Sequence, residues 1–564
     1  MASQLRVVVV GGVAAGMKAA CKTMRLRPDA DVTVIERDEI LSYAGCGLPY
    51  YISGVVSKRE DLYSTPIGVA RDAAFFKNVK NVKVLNRTEA LEIDRQQKLV
   101  RIQGLDGGGE ESRPYDKLVL ATGASPVRPP IEGIDQANIF TVKSVADSDR
   151  IKAVVEAGEL RKAVVVGGGL IGVEMAECLA DCALEVSIVE MLPRILPMID
   201  DEMALLVEKH LDDQGIDVYA GKCVTAFKGD GKVQAVVCDD LELEADIVIL
   251  AIGVRPEAKL AAEAGLELGP FKGIKVDDHM RTSDPDIYAA GDCVEVLNII
   301  SGQPGFVPLG STANKQGRVA AINLCGGDEA FPGVVGSTVV KVCDIGVART
   351  GLSEKEAAKA GFETVSIHVP AEDRAHYYPG AAGVLLKLVA DSKTGRLLGV
   401  QAVGPGDVSK RVDSVVAALI AGLTVDHISK LDLCYAPPFS SAMDVLITAA
   451  NVLKNKMAGT MKGIYNTDVK AMLDGDEPFF LLDVRSPGEV QEAALPGAVN
   501  IPLGKLRTSL EAVPRDKPVI TFCALSLRGY EAALILESAG FEAVQVMEGG
   551  VAMWPFETRR NVGV

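Results

Sequence analysis

Two stretches of the chain repeat one pattern, and that repeat constrains the fold more than any other feature. Residues 6–36 read RVVVVGGVAAGMKAACKTMRLRPDADVTVIE, and residues 162–190 read KAVVVGGGLIGVEMAECLADCALEVSIVE. Each runs from a valine-rich stretch through a glycine turn and a helical pattern into a second apolar stretch ending in glutamate. Unbroken apolar strands belong to parallel sheets buried on both faces. A β-α-β unit of this length with such a turn is the dinucleotide-binding element. The second turn carries Gly167, Gly169 and Gly172 at all three G-x-G-x-x-G positions, with Glu190 23 residues after Gly167. The first carries Gly11 and Gly16 but Val13 at the middle position, with Glu36 25 residues after Gly11. Glycines there let backbone approach a pyrophosphate at the helix N-terminus, and the terminal carboxylate accepts hydrogen bonds from a ribose diol. Two such units in one chain predict two dinucleotides, a flavin and a nicotinamide. Glu190 favours NADH over NADPH because it repels a 2′-phosphate, while Arg194 nearby opposes that preference.

Further segments support the pair. DKLVLATGASP (116–126) and DIVILAIGVRP (246–256) each read as a strand running into a tight glycine turn that returns the chain to the other nucleotide domain. TSDPDIYAAGDCVEV (282–296) predicts a strand over Ile287–Ala290 that ends at Gly291-Asp292, with a helix after Pro308. An aspartate there suits a ribityl hydroxyl beside a helix N-terminus. From about Phe331 the pattern changes to short alternating strands and helices, with a hairpin around Lys393-Thr394-Gly395. A polar stretch at 451–463 reads as a linker before a module of about 100 residues with strands at Leu481–Arg485 and Pro518–Cys523. The fold class is α/β.

Composition removes several alternatives. At 564 residues the chain is too long for one core, and 48% apolar with 24% charged residues excludes a disordered one. A formal charge of −17 with scattered basic residues argues against nucleic acid as a partner. No run of 18 apolar residues occurs and the N-terminus lacks a signal-peptide pattern, so no membrane association and a cytoplasmic location are expected. The 11 cysteines are irregularly spaced without C-x-x-C, and histidines number five, so no metal centre is expected.

Two cysteines stand out. Cys46, in LSYAGCGLPYYISG, follows the first β-α-β unit between glycines that permit contact with a flat ligand. Tyr51 occupies the position where a C-x-x-x-x-C pair would place its second sulfur, so Cys46 acts alone on a disulfide or persulfide, or holds an oxidised sulfur itself. Cys523 ends a strand and opens the loop CALSLR, whose amides and Arg528 suit an anion or a persulfide. The other nine, Cys178 and Cys182 among them, read as structural, and Gly549-Gly550 with Trp554 as packing. Tyr377, Tyr378 and Tyr435 sit in unusual settings, for which packing is the better local reading.

The motif order SYAGCGLPYY, two nucleotide turns, DLCYAPPFSSA and LLDVRSPGEV…LPGAVNIPL resembles the single-cysteine pyridine nucleotide-disulfide oxidoreductases. Specifically, it resembles coenzyme A-disulfide reductase and NADH-dependent persulfide reductase fused to a C-terminal rhodanese domain. The resemblance implies an FAD-binding domain at 1–150 and 273–328, an NAD(P)H-binding domain at 151–272, and a dimerisation domain at 329–450. A linker at 451–463 and a rhodanese-like domain at 464–564 follow. It implies FAD held by Gly11, Gly16, Glu36, Arg37, Ser42, Thr122, Gly123 and Asp292. It further implies NADH or NADPH at Gly167, Gly169, Gly172 and Glu190, with Glu174 near the nicotinamide. Cys46 would form a mixed disulfide with coenzyme A, Ser42 lying close by and Lys22 and Arg25 facing the coenzyme A phosphates. Tyr377 and Tyr435 match a tyrosine pair that serves the partner subunit of a homodimer, which reverses their local reading. Cys523 matches the persulfide cysteine, with Arg528 in its loop. Gly45 stands where relatives commonly have asparagine, and Leu495 where a histidine is frequent. The function implied is reduction of coenzyme A disulfide, coenzyme A persulfide or polysulfide. An alternative is an NADH oxidase or peroxidase cycling a cysteine sulfenic acid, against which stands Ala14 where that branch has histidine. A sulfur carrier with a regulatory flavin part is a third.

Overall fold

A computed structural model describes residues 4–475 and 477–559. By contacts the chain forms two units, one of residues 1–195 and 215–334 and one of residues 196–214 and 335–564.

The first unit contains the two repeated nucleotide folds. In one, Arg6–Val10 lies centrally between Asp31–Ile35 and Lys117–Leu120, with Ile287–Ala289 and Lys83–Leu85 at the edges, all parallel. Its valines are buried on both faces, as their unbroken run requires. The helix Ala15–Leu26 packs along Gly310–Leu324, the helix expected after Pro308. The second fold repeats this with Lys162–Val166 central, beside Glu185–Glu190 and Ile247–Leu250, again all parallel. The two arms expected to return the chain do so as a pair: Ala124–Pro126 and Val254–Pro256 run antiparallel, Val254 opposite Pro126. Three-stranded antiparallel sheets at 88–114 and 224–244 complete the unit.

The second unit holds two sheets. One is antiparallel, in the order Thr338–Val342, Ile345–Gly351, Leu397–Gly404, Gly383–Asp391, Thr364–Glu372. Its expected hairpin at Lys393-Thr394-Gly395 is present, with Asp391 accepting both the Lys393 and Thr394 amides. The other sheet is parallel, with Val519–Phe522 between Phe480–Asp483 and Val544–Met547. Trp554 is buried in that sheet's core beside Phe522 and Ile520.

By contacts helix Asp201–Asp213 groups with the second unit, where Glu202 pairs with His368 and Lys387. One segment differs from the sequence expectation. The stretch 451–463 is not an irregular linker at its start, because helix Val445–Met457 runs into it. That helix is tied onward by Lys456, which bonds the Ser366 carbonyl at 2.9 Å and Glu548 at 2.5 Å. Polar residues there satisfy buried carboxylates, which composition alone does not distinguish from solvation.

Those carboxylates form a buried ionic set. The Lys387 ammonium, with no exposed side-chain surface, contacts Asp200 at 2.9 Å, Glu354 at 2.6 Å and Glu202. The three carboxylates converge as metal ligands would, but lysine supplies the positive charge. His368 bridges Glu202 at 3.0 Å and Glu548 at 3.2 Å. Burial pulls its pKa down, yet these two carboxylates together leave it raised.

Candidate active sites

The nucleotide turns explain their glycines differently. Gly167 has φ +106°, and a Cβ there would sit 2.5 Å from the Ala251 carbonyl oxygen. A Cβ on Gly172 would meet the Gly167 carbonyl oxygen at 1.9 Å. Those two are demanded by the fold. Gly169 precedes helix Leu170–Asp181 in ordinary extended backbone with nothing within 4 Å of a Cβ, so the fold itself does not demand glycine there. In the first turn Gly11 and Gly16 repeat the fold-imposed pattern, and Val13 is half-buried.

The carboxylates ending the second strands are turned back onto these loops. Glu190 accepts the Gly168 amide at 2.6 Å and the Leu192 amide at 2.7 Å. Glu36 accepts the Gly12 amide at 2.5 Å and the Asp38 amide at 2.8 Å. Burial pushes the Glu36 carboxyl up despite those donors. Both glutamates are buried. Each therefore staples its glycine turn to its strand.

Cys46 sits on a 3-10 turn, Gly45–Gly47, directly before helix Leu48–Ile52, and is exposed. Its pKa is raised by burial of the sulfur, then by Glu174, then by Asp292. The fold thus brings these three residues together from distant parts of the sequence. Burial, helped by Glu177, pushes Glu174 itself up to about 7. Burial also raises Asp292, with Lys143 opposing. Asp292 accepts none of the hydrogen bonds among the described residues, which leaves its carboxylate for a ligand hydroxyl. Lys143 also feels Arg37, Glu257, Asp38 and Glu36, in that order after burial, and so Arg37 and Glu36 share this neighbourhood.

Ser42 has φ +48°, its amide bonded to the Gly12 carbonyl at 2.9 Å. Arg71 donates to the Ser42 carbonyl and hydroxyl, each at 3.2 Å. Sequence reasoning missed Arg71, which lies 29 residues from Ser42 without a motif of its own. Thr122 and Gly123 hold the crossing arm: the Thr122 hydroxyl donates to the Glu257 carbonyl at 2.5 Å, and the Glu257 amide to the Gly123 carbonyl at 2.9 Å. Lys22 and Arg25 lie in the C-terminal half of their helix. Arg25 donates to the Cys21 carbonyl at 3.0 Å, and the charge of Lys22 acts on Cys325. No interaction among the described residues joins either to Cys46.

In the second unit, Tyr377 and Tyr435 are 66% and 53% exposed, too open for the core role their local sequence favours. Tyr377 rests edge-on against His376.

Cys523 follows strand Val519–Phe522 and is 1% exposed. Its carbonyl accepts the Val551 amide and the Ala524 carbonyl accepts the Ala552 amide, both at 3.0 Å. This close approach needs glycine at 550: at φ +57°, a Cβ would lie 2.3 Å from the Cys523 carbonyl oxygen. The Gly549-Gly550 pair, read as packing alone, is what shapes the thiol loop. Ser526, at φ +87°, turns the chain into helix Leu527–Ser538. Among the described residues, no hydrogen bond is donated by the Ala524, Leu525 or Ser526 amides, which leaves them for an anion. Arg528 binds both oxygens of Glu489, at 2.6 and 2.9 Å. Its raised pKa comes first from Glu489 and in part from Cys523, which places the guanidinium against the thiol.

Two dinucleotide folds in one unit, with a thiol set among carboxylates beside them, define a nicotinamide- and flavin-dependent thiol oxidoreductase. A family model for pyridine nucleotide-disulphide oxidoreductases matches residues 5–317, and that family's dimerisation domain matches 337–447. The chain belongs to the pyridine nucleotide-disulphide oxidoreductases, an enzyme family that uses FAD and NAD(P)H, and carries a rhodanese-like domain at 466–555. It is 38% identical over 450 residues to the NAD(P)H coenzyme A polysulfide/persulfide reductase of Pyrococcus horikoshii, covering 80% of this chain and 98% of the relative. The solved NAD-dependent persulfide reductase from A. fulgidus is 43% identical with a TM-score of 0.93, covering 98% of this chain and 100% of that one. The reduced Bacillus anthracis CoADR-RHD structure is 36% identical with a TM-score of 0.91, covering 98% of each chain.

Proposed function

We propose that the protein reduces coenzyme A persulfide, coenzyme A disulfide or polysulfide at Cys46 with electrons from NAD(P)H, while Cys523 handles sulfane sulfur. The observation that carries this reading is the single thiol beside Glu174 and Asp292 in a unit with two nucleotide turns.

The residues fit both dinucleotides. Gly169 leaves the space a pyrophosphate needs, and the half-buried Asp292 carboxylate suits a ribityl hydroxyl. Gly11, Gly16, Glu36, Arg37, Ser42, Thr122 and Gly123 would hold FAD with it, and Gly167, Gly172 and Glu190 the nicotinamide dinucleotide. FAD held there would supply the electron pair, drawn from NAD(P)H, for reducing sulfur attached to Cys46. The Cys46 thiolate attacks the inner sulfur of a coenzyme A persulfide; the S–S bond breaks, hydrosulfide leaves, and a Cys46–coenzyme A disulfide forms. With coenzyme A disulfide the leaving group is coenzyme A thiolate. Burial pushes the Glu174 carboxyl up to about 7, so at neutral pH it is charged only part of the time and its negative field on Cys46 is weakened accordingly. Lys22 and Arg25 would meet coenzyme A phosphates. The dimerisation domain supports a homodimer, in which Tyr377 and Tyr435 would serve the second copy's Cys46 as proton donors.

The test compares NADH consumption with coenzyme A persulfide, coenzyme A disulfide, polysulfide, peroxide and oxygen, in wild type and Cys46→Ser. Turnover with a sulfur substrate, lost in the variant, is expected. Peroxide turnover exceeding every sulfur substrate would sink the assignment and favour sulfenic acid cycling.

A further inference from the structure

At the mouth of the Cys523 loop the positive charge is already paired. Arg528 is the loop's one arginine, and its guanidinium closes a two-pronged ion pair with Glu489. Arg528, first among the influences, holds the Glu489 carboxyl down at about 2. Glu489 is fixed from the other side as well, accepting the Ser486 amide at 3.0 Å and hydroxyl at 2.8 Å in the capping box of helix Pro487–Glu492. Arg485, at the end of the neighbouring strand, is buried and chelated by Asp483. The loop side chains most open to solvent are aliphatic, Leu525 at 51% and Leu527 at 67%, while the Arg528 side chain is 37% exposed beside Glu489. A small dianion such as thiosulfate is recognised through uncompensated, charge-assisted donors, whereas a sulfur donor with a carbon-bearing tail gains from apolar contact.

We propose that the Cys523 site takes sulfane sulfur from an organic persulfide whose tail packs on Leu525 and Leu527, and discriminates against thiosulfate because Glu489 neutralises Arg528. This rests on the reading of Cys523 as a sulfur acceptor. The Cys523 thiolate attacks the terminal sulfur of R–S–SH; that S–S bond breaks and the electron pair leaves with R–S⁻. Cys523–S–SH results, with no net oxidation or reduction. The free amides of Ala524, Leu525 and Ser526 stabilise the negative sulfur before and after transfer. Glu489 acts through Arg528 and is a positioning residue; Leu525 and Leu527 would touch the donor.

The experiment uses the full-length flavoprotein with glutathione persulfide or thiosulfate as donor, reading sulfur added at Cys523 by peptide mass spectrometry and its rate. Wild type is expected to load from the persulfide with a kcat/KM at least about tenfold above thiosulfate. Glu489→Gln, which keeps the reach needed for the helix cap, frees the Arg528 charge and raises the thiosulfate rate about tenfold, with a smaller change for the persulfide. Leu527→Lys, at an exposed position where folding is not at stake, shifts the donor ratio the same way. Equal loading of wild type from both donors, or an unchanged ratio in both variants, overturns the specificity proposal. No sulfur on Cys523 from either donor overturns the acceptor reading and the proposal with it.

Discussion

The two thiols proposed to handle sulfur, Cys46 and Cys523, sit in opposite surroundings. Cys46 is exposed on a short turn, and the charges that act on it are carboxylates, which together with burial raise its pKa. Cys523 is 1% exposed at the end of a strand, with the Arg528 guanidinium against it and unbonded loop amides ahead of it. A negative sulfur at Cys46 is disfavoured by the residues around it, whereas at Cys523 the module's own backbone supplies the donors. Under the proposed roles, the contrast teaches that a redox thiol and a sulfur-carrying thiol need different environments: the first would rely on a bound cofactor, the second on its own loop amides to hold a persulfide anion.

The sharpest way to break that division is to remove one thiol at a time. Cys46→Ser should lower NAD(P)H-dependent sulfur reduction by about 10³-fold or more, roughly 4 kcal/mol of barrier, while sulfur loading at Cys523 persists. Cys523→Ser should do the reverse. Joint loss of both activities in either variant would show one coupled site instead of two.

Next in size is the ionic set of the second unit. Lys387→Met removes the ammonium shared by Asp200, Glu202 and Glu354, leaving, among the described residues, buried Asp200 without a cation and Glu202 with His368 alone, and the unit should lose about 3–5 kcal/mol in denaturant unfolding. A change below about 1 kcal/mol would mean these carboxylates reach water or take up protons.

A smaller effect is expected at Gly169. Gly169→Ala meets no protein atom, so folding and FAD content should hold while KM for NAD(P)H rises about tenfold. An unchanged KM would remove the argument that this glycine faces a ligand.

The subtlest test concerns the field on Cys46. Glu174→Gln removes the second-largest influence on that thiol, and the midpoint of its alkylation-rate profile should move to lower pH, leaving the burial contribution in place. The same carboxyl carries a stability signature. Its folded pKa is about 7 against an ordinary 4.5, so the folded state binds its proton more tightly. Stability from this group therefore falls as pH rises from about 4.5 through about 7 and is level above. Glu174→Gln should flatten that slope.

Much of the frame was legible in the sequence. Valine runs buried on both faces, the glycine turns and the acidic strand ends each encode a local requirement of backbone or sheet. The paired strands, the hairpin at Lys393-Thr394-Gly395 and the helix after Pro308 follow from such signals. What stayed hidden depends on residues far apart in sequence. Nothing near Glu202 announces its partners His368 and Lys387. Arg71 and Ser42 meet only through folding, and Gly550 matters because of where the Cys523 carbonyl arrives. The sequence by itself determined which residues can do chemistry and which strands must be buried, because side-chain type and periodicity are local properties. Only the tertiary structure decided which charges face each thiol, because electrostatic fields and desolvation belong to neighbours in space.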